Sequence, residues 1–259
     1  MSRAQLRRYA LVAVALVVMA TAAVASGRGA LVEYENLVLR ADGAFEPRQL
    51  PRSSFAPIEF EGRARIASKD GSRPVALRQL VVDFDHDGRL SVAGLPRCPA
   101  ERIAAATSAE ARRLCRGAIV GEGRVAAVIG LASGLIEASS ALTIFNGPPL
   151  EGHPSAVLHA HFTEPGTQTF AIPVPIERRR GQYRYRVSLE LPPIAAGLGS
   201  LSLIEVEVGR RYRSGGVQRS YVSARCSDNL LRTRGRFSFE DGTVIDGAVN
   251  KYCHSLPPR

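Results

Sequence analysis

From Ile58 onward the chain repeatedly alternates apolar and polar residues. Ile58, Phe60, Ala64 and Ile66 fall on one face of an extended segment, with Glu59, Glu61, Arg63 and Arg65 on the other. Leu80, Val82 and Phe84 oppose Gln79 and Asp83; Ile204, Val206 and Val208 oppose Glu205 and Glu207; Phe237 and Phe239 oppose Arg236 and Glu240. Tyr183, Tyr185, Val187, Leu189 and Leu191 oppose Gln182, Arg184, Arg186 and Glu190, which puts both tyrosines on the apolar face, in the core. Period-two patterns of this kind belong to antiparallel sheets with one buried face. Less regular strands are expected over 31–40, 118–129, 138–145, 155–163, 169–176 and 219–226. Pro173 and Pro175 place the 169–176 segment at a sheet edge, where missing N–H donors cost little. About a dozen strands with Gly, Pro and Asp-Gly turns predict a mainly β chain, an antiparallel β-sandwich or barrel-like domain.

One segment breaks the pattern. Between Cys98 and Cys115 the chain is rich in helix formers, and Pro99 suits a first helical position. Thr107-Ser108-Ala109-Glu110 has the form of a capping box, and Arg112 and Arg113 follow at the negative end of the helix dipole. One or two short helices are expected here. Four cysteines, Cys98, Cys115, Cys226 and Cys253, permit three connectivities. Sequence proximity favours Cys98–Cys115, closing the helical insert, and Cys226–Cys253, tying down the tail. Zinc is the rival, but no C-x₂-C spacing occurs and an oxidising compartment disfavours free thiolates.

That compartment is read from the first 25 residues. Arg3, Arg7 and Arg8 precede an unbroken small and apolar run from Ala10, and Ala23-Val24-Ala25 fits the small-x-small cleavage rule. The expectation is a cleaved leader over 1–25 and a single secreted β-rich domain over 26–259; an N-terminal membrane anchor is the alternative. Removing three arginines and no acid lowers the formal charge of +10 to +7. Only Lys69 and Lys251 among the 34 basic residues are lysines, a composition that fits GC-rich coding and solvated arginines. The competing reading of Arg178-Arg179-Arg180 and Arg210-Arg211-Tyr212-Arg213 is attraction to an anionic envelope polymer or lipid surface. Nucleic acid is a poor partner for an exported chain without interleaved aromatic platforms.

Four constellations are candidates for chemistry. Asp83-Phe84-Asp85-His86-Asp87-Gly88 matches the first half of a calcium loop, with oxygen ligands at alternating positions and a Gly at the turn. The twelfth position, however, is Gly94 rather than Glu, and a strand precedes the motif. Asp83, Asp85 and Asp87 are therefore weak candidates for calcium, no cofactor being otherwise expected, and a tight Asp/Gly turn is the plainer reading. His159 and His161 share one strand face and suit two metal ligands, with His153 or Glu164 as a possible third. They lie opposite Leu158, Ala160 and Phe162, on the expected solvent face. Gly121-Glu122-Gly123-Arg124-Val125-Ala126 has the form of a dinucleotide turn without the βαβ setting, so its glycines are read as close approach of strands. Ser133 lacks the G-x-S-x-G frame of a nucleophile, so no catalytic residue is assigned.

Gly43-Ala44-Phe45 leading to Pro47 and Leu50-Pro51-Arg52, Gly94-Leu95-Pro96-Arg97-Cys98, Cys115 with Gly117 through Gly123, and Phe145-Asn146-Gly147 together span most of the chain beyond the leader. This set resembles a group of uncharacterised exported β-rich proteins of GC-rich bacteria. The resemblance implies secretion and a single domain and carries no activity. The expected role is a non-enzymatic envelope or extracellular protein that binds a surface polymer, a lipid or another exported protein. A secreted hydrolase or metal-dependent enzyme built on His159 and His161 is the alternative.

Overall fold

The computed structural model describes residues 24–26 and 29–256. The expected leader falls outside these, apart from Val24 and Ala25. Thirteen strands build one sheet: Val24–Ser26 (β1), Ala30–Tyr34 (β2), Leu37–Glu46 (β3), Glu59–Ser68 (β4), Leu77–Asp85 (β5), Ile119–Leu131 (β6), Gly134–Asn146 (β7), Ser155–Phe162 (β8), Gln168–Arg178 (β9), Tyr183–Glu190 (β10), Gly199–Val208 (β11), Leu230–Phe239 (β12) and Val244–Tyr252 (β13). Their order is β1-β13-β12-β5-β10-β9-β8-β7-β6-β11-β4-β3-β2. All pairs are antiparallel except β1 with β13. The two margins meet: Lys251 of β13 reaches Asp42 of β3 at 2.8 Å, and Ala30 of β2 lies against Gly247 of β13. The sheet is thus a nearly closed, barrel-like wall with its apolar face inward.

Most expected strands appear, with three local corrections. The run over 31–40 is a hairpin of β2 and β3, because Glu35 turns the chain with a φ of 49°. The run over 219–226 is divided between Val217–Ser220, which pairs with Arg211–Ser214, and Val222–Ala224. Tyr183 and Tyr185 do not share a face: a register shift at Arg184 separates them, Tyr185 pointing inward and Tyr183 lying outside beneath Arg234. A bulge adds one residue to its strand and so reverses the alternation beyond it.

The prolines of β9 sit in the interior of the strand order, yet their side of the strand is an edge. β9 pairs with β8 over Gln168–Pro175 but with β10 only over Ile176–Arg178. The Ile176 amide points toward the β8 side, donating to Pro154 O, so the nitrogens of Pro173 and Pro175 point toward the unpaired side. The loop after β10 closes that gap. Gln168 donates to Pro193 O and accepts from the Ala195 amide.

One end of the barrel has mostly short connections; the other carries 47–58, 86–118, 147–154 and 209–229. Here Gly88–Leu90, Val222–Ala224 and Ala56–Pro57 form a small sheet with Val222–Ala224 central. Both disulfides lie at this end, Cys98–Cys115 and Cys226–Cys253, as proximity predicts. The insert contains one 3₁₀ turn, Ala100–Arg102, and the helix α1, Ser108–Leu114, whose capping box is formed by Thr107 and Glu110. Its buried residues Ile103, Ala111 and Ala118 pack on Phe145 and Val157, on the outer face of β7 and β8.

Each bond closes a loop of known length, 17 residues for Cys98–Cys115 and 27 for Cys226–Cys253. Replacing either pair by alanine should lower stability in urea by about 3 kcal/mol, slightly more for the longer loop. Equal stability to the native protein would show that the loops are held by packing alone.

Candidate functional site

The inward face of the wall is apolar on every side. Phe60, Gly62 and Ala64 come from β4, Leu80, Val82 and Phe84 from β5, Ala156 and Leu158 from β8, and Ile204 and Val206 from β11. Side chains at the centre of a barrel should be fully buried, but Phe60, Val82, Phe84, Leu158, Ile204 and Val206 are only half-buried. They pack on the core, Phe60 edge-to-face on Phe84 at 5.4 Å, and turn their remaining surface to open space. One chamber of about 270 Å³ lies beneath the small sheet and is bounded there by Gly88, Arg89, Leu90, Tyr221 and Val222. A second, of about 160 Å³, lies against the seam where Ala30 and Val32 meet Gly247 and Val249. Both chambers are lined by Phe60, Leu80, Val82, Phe84, Ile204 and Val206, so they share a wall through the middle of the barrel.

A pocket of roughly 10–15 Å³ can hold one water, provided polar partners are present. This interior is far larger and offers almost none. Left empty, a void of 270 Å³ costs on the order of 6 kcal/mol at ~24 cal/mol per Å³. An apolar guest would recover much of that.

The candidate calcium residues lie outside the wall and are held by arginines. Asp83 on β5 stands directly between Arg186 of β10 and Arg234 of β12 in the strand register. Its Oδ1 accepts from Arg186 Nε at 2.7 Å, and its Oδ2 from Arg234 at 2.7 Å and Arg186 at 3.0 Å. Asp85 accepts from the Asp87 amide at 2.8 Å and from the Arg232 amide and guanidinium at 3.0 and 3.3 Å. Asp87 accepts from Arg225 at 2.7 Å and from the Ser227 amide and hydroxyl at 2.8 and 2.6 Å. Every carboxylate oxygen of the three already has a donor. Burial pushes the Asp83 and Asp87 carboxyls up, but their guanidinium and hydroxyl partners outweigh it and hold both below the usual carboxylate range.

Asp85, His86 and Asp87 still bring one ligand atom each within 4.8 Å of one another. His86 Nδ1 lies 2.9 Å from Asp85 Oδ1, off the hydrogen-bonding direction, and Nε2 lies 3.4 Å from Asp87 Oδ1. A cation there would have to displace Arg225 or Arg232. Asp83 is not part of this group.

The histidines are not on a solvent face. His159 points away from the barrel interior, as the alternation requires, but the helical insert covers it completely. Its Nε2 lies 3.0 Å from Ala106 O, while Nδ1 has no partner; Thr143, directly opposite on β7, also buries an unpartnered hydroxyl. Burial lowers the His159 imidazole against the pull of the Ala106 carbonyl, which favours the neutral ring. His161 is half-buried and bonded to Thr169 at 2.7 Å. His153 sits in the turn closed by Leu150, and Glu164 is exposed after β8.

Gly121 and Gly123 press β6 against β11: a side chain at either would start within 2.5 Å of the Glu207 or Glu205 carbonyl oxygen. These glycines serve strand approach. Arg178 and Arg180 are exposed at the β9–β10 turn with Arg179 paired to Glu177, and Arg210 donates to Ile119 O. No helix among the described residues is long and apolar enough to cross a membrane. The two disulfides point to an oxidising, extracytoplasmic setting. Comparison with protein-family models, with curated proteins and with solved structures finds no match.

Two outcomes follow from the arginine-held carboxylates. Asp83→Asn should cost about 3–5 kcal/mol near neutral pH, because Arg186 and Arg234 would face each other without an anion. A carboxyl depressed in the fold stabilises above its unfolded value and loses that effect as pH falls through its folded one. The gap between native and variant proteins in urea should therefore narrow below about pH 4; a constant gap would mean that charge is not the cause. Calcium at ~1 mM should leave the melting temperature where chelator leaves it, whereas a rise of several degrees would show that the ion competes with the arginines.

Proposed function

We propose that this chain is an extracytoplasmic binding protein that holds an apolar ligand inside its barrel. The unfilled apolar interior carries this reading. A protein that only displayed its surface to a polymer would gain nothing from leaving its core unpacked, and such a core costs stability. Binding specificity would then come from the shape of the chambers. The few polar groups at their margins would set the orientation of the guest. The disulfides agree with such a role outside the cytoplasm, where a scaffold must hold its shape while its interior empties and refills.

Titration with N-phenylnaphthylamine, whose fluorescence rises in apolar surroundings, tests the proposal. Saturable binding near one probe per chain is expected. Val206→Trp, which fills the wall shared by both chambers, should weaken it by more than about tenfold. The melting temperature should be held or raised, since the void shrinks. Val206→Phe adds less volume and serves the same purpose if the tryptophan does not fold. Absence of saturable binding, or undiminished binding by a folded filled variant, overturns the proposal.

A further inference from the structure

We infer that the ligand is an anionic amphiphile, with its chain in the barrel and its carboxylate or phosphate head on Arg89 and Arg184. This rests on the apolar-ligand reading above and adds the head that such a ligand must carry.

Three guanidinium groups crowd one aromatic ring. Arg89, Arg184 and Arg225 stand over Phe55 at 5.5, 5.3 and 5.3 Å from its centroid. A ring has two faces, so at least two of these cations share one. Cation–π attraction of about 0.5–1 kcal/mol at exposed sites explains one guanidinium per face, not a third like charge beside it. Arg225 is neutralised by Asp87 at 2.7 Å. Arg89 and Arg184 have no carboxylate within 4 Å among the described residues. These two guanidinium groups can therefore take an anion.

Its position ties it to the interior. Arg89 lines the larger chamber and is itself exposed, so the chamber approaches the surface at that residue. Arg184 is the bulged residue of β10, set out of the strand's alternation between Tyr183 outside and Tyr185 inside. Bulges commonly re-aim a side chain in this way. A planar guanidinium fork matches the oxygens of a carboxylate or phosphate, and two forks on one side of a ring can grip a single head.

The test is competition against bound N-phenylnaphthylamine at low salt by four ligands sharing one chain: dodecanoate, dodecyl phosphate, dodecanol and dodecyltrimethylammonium. The anions should displace the probe at concentrations about tenfold or more below the alcohol, and the ammonium should be weakest. In Arg89→Gln/Arg184→Gln the anion-to-alcohol ratio should fall toward one. A ratio read within each protein is insensitive to general weakening. Equal displacement by anion and alcohol in the native protein, or an undiminished ratio in the variant, overturns the assignment. So does displacement by inorganic phosphate as effective as by dodecyl phosphate, which would mark a free-anion site. Failure of the probe to bind at all would sink the apolar-ligand reading itself and is distinct from each of these.

Discussion

Closing a sheet of this many strands sets an interior width that side chains must then fill. About eight strands leave a space that ordinary side chains occupy, and the span grows with each further strand. Here the wall is a dozen strands or so, and its inward positions include Gly43, Gly62, Ala64 and Gly235 where larger residues would be needed. Everything proposed for this molecule depends on that mismatch between circumference and side-chain volume. The mismatch is greatest beside the seam, where the small residues gather, and beneath the small sheet at the decorated end.

The wall is stitched from outside by charge. Asp83 joins β10 to β5 and β5 to β12 through Arg186 and Arg234. Asp85 and Asp87 continue the line into the residues that follow the small sheet, through Arg232 and Arg225. A barrel with an unpacked centre draws less of its cohesion from the core than a filled one. Paired charges at its surface, cross-strand hydrogen bonds and two disulfides make up the difference. The same arginines that occupy the Asp-rich turn explain why a motif with calcium spacing can be structural: its negative charge is already matched.

Local signals were legible and long-range ones were not. The capping box at Thr107 and the inward sets Leu80-Val82-Phe84 and Ile204-Val206-Val208 follow from residues a few positions apart, and the cysteine pairing from separations of 17 and 27. The covering of His159 does not. It depends on an insert some 50 residues earlier folding back across β7 and β8, and alternation reports only which side of a strand a residue takes. The bulge at Arg184 leaves no mark in the apolar pattern, in which Tyr183 falls on the inward face. The cavity is less visible still. Whether apolar residues touch or stand apart across a barrel depends on closure, a property of the whole wall.

The prolines of β9 have one more consequence. The side of β9 facing β10 lies open over most of its length, and an open strand is a template on which a second chain can add. Pro173 and Pro175 remove two successive donors from that margin, while the 191–198 loop lies across it. A barrel wall left open along one line must still keep a second chain off it. Two missing amide hydrogens, with a loop laid over them, deny that line to an added strand.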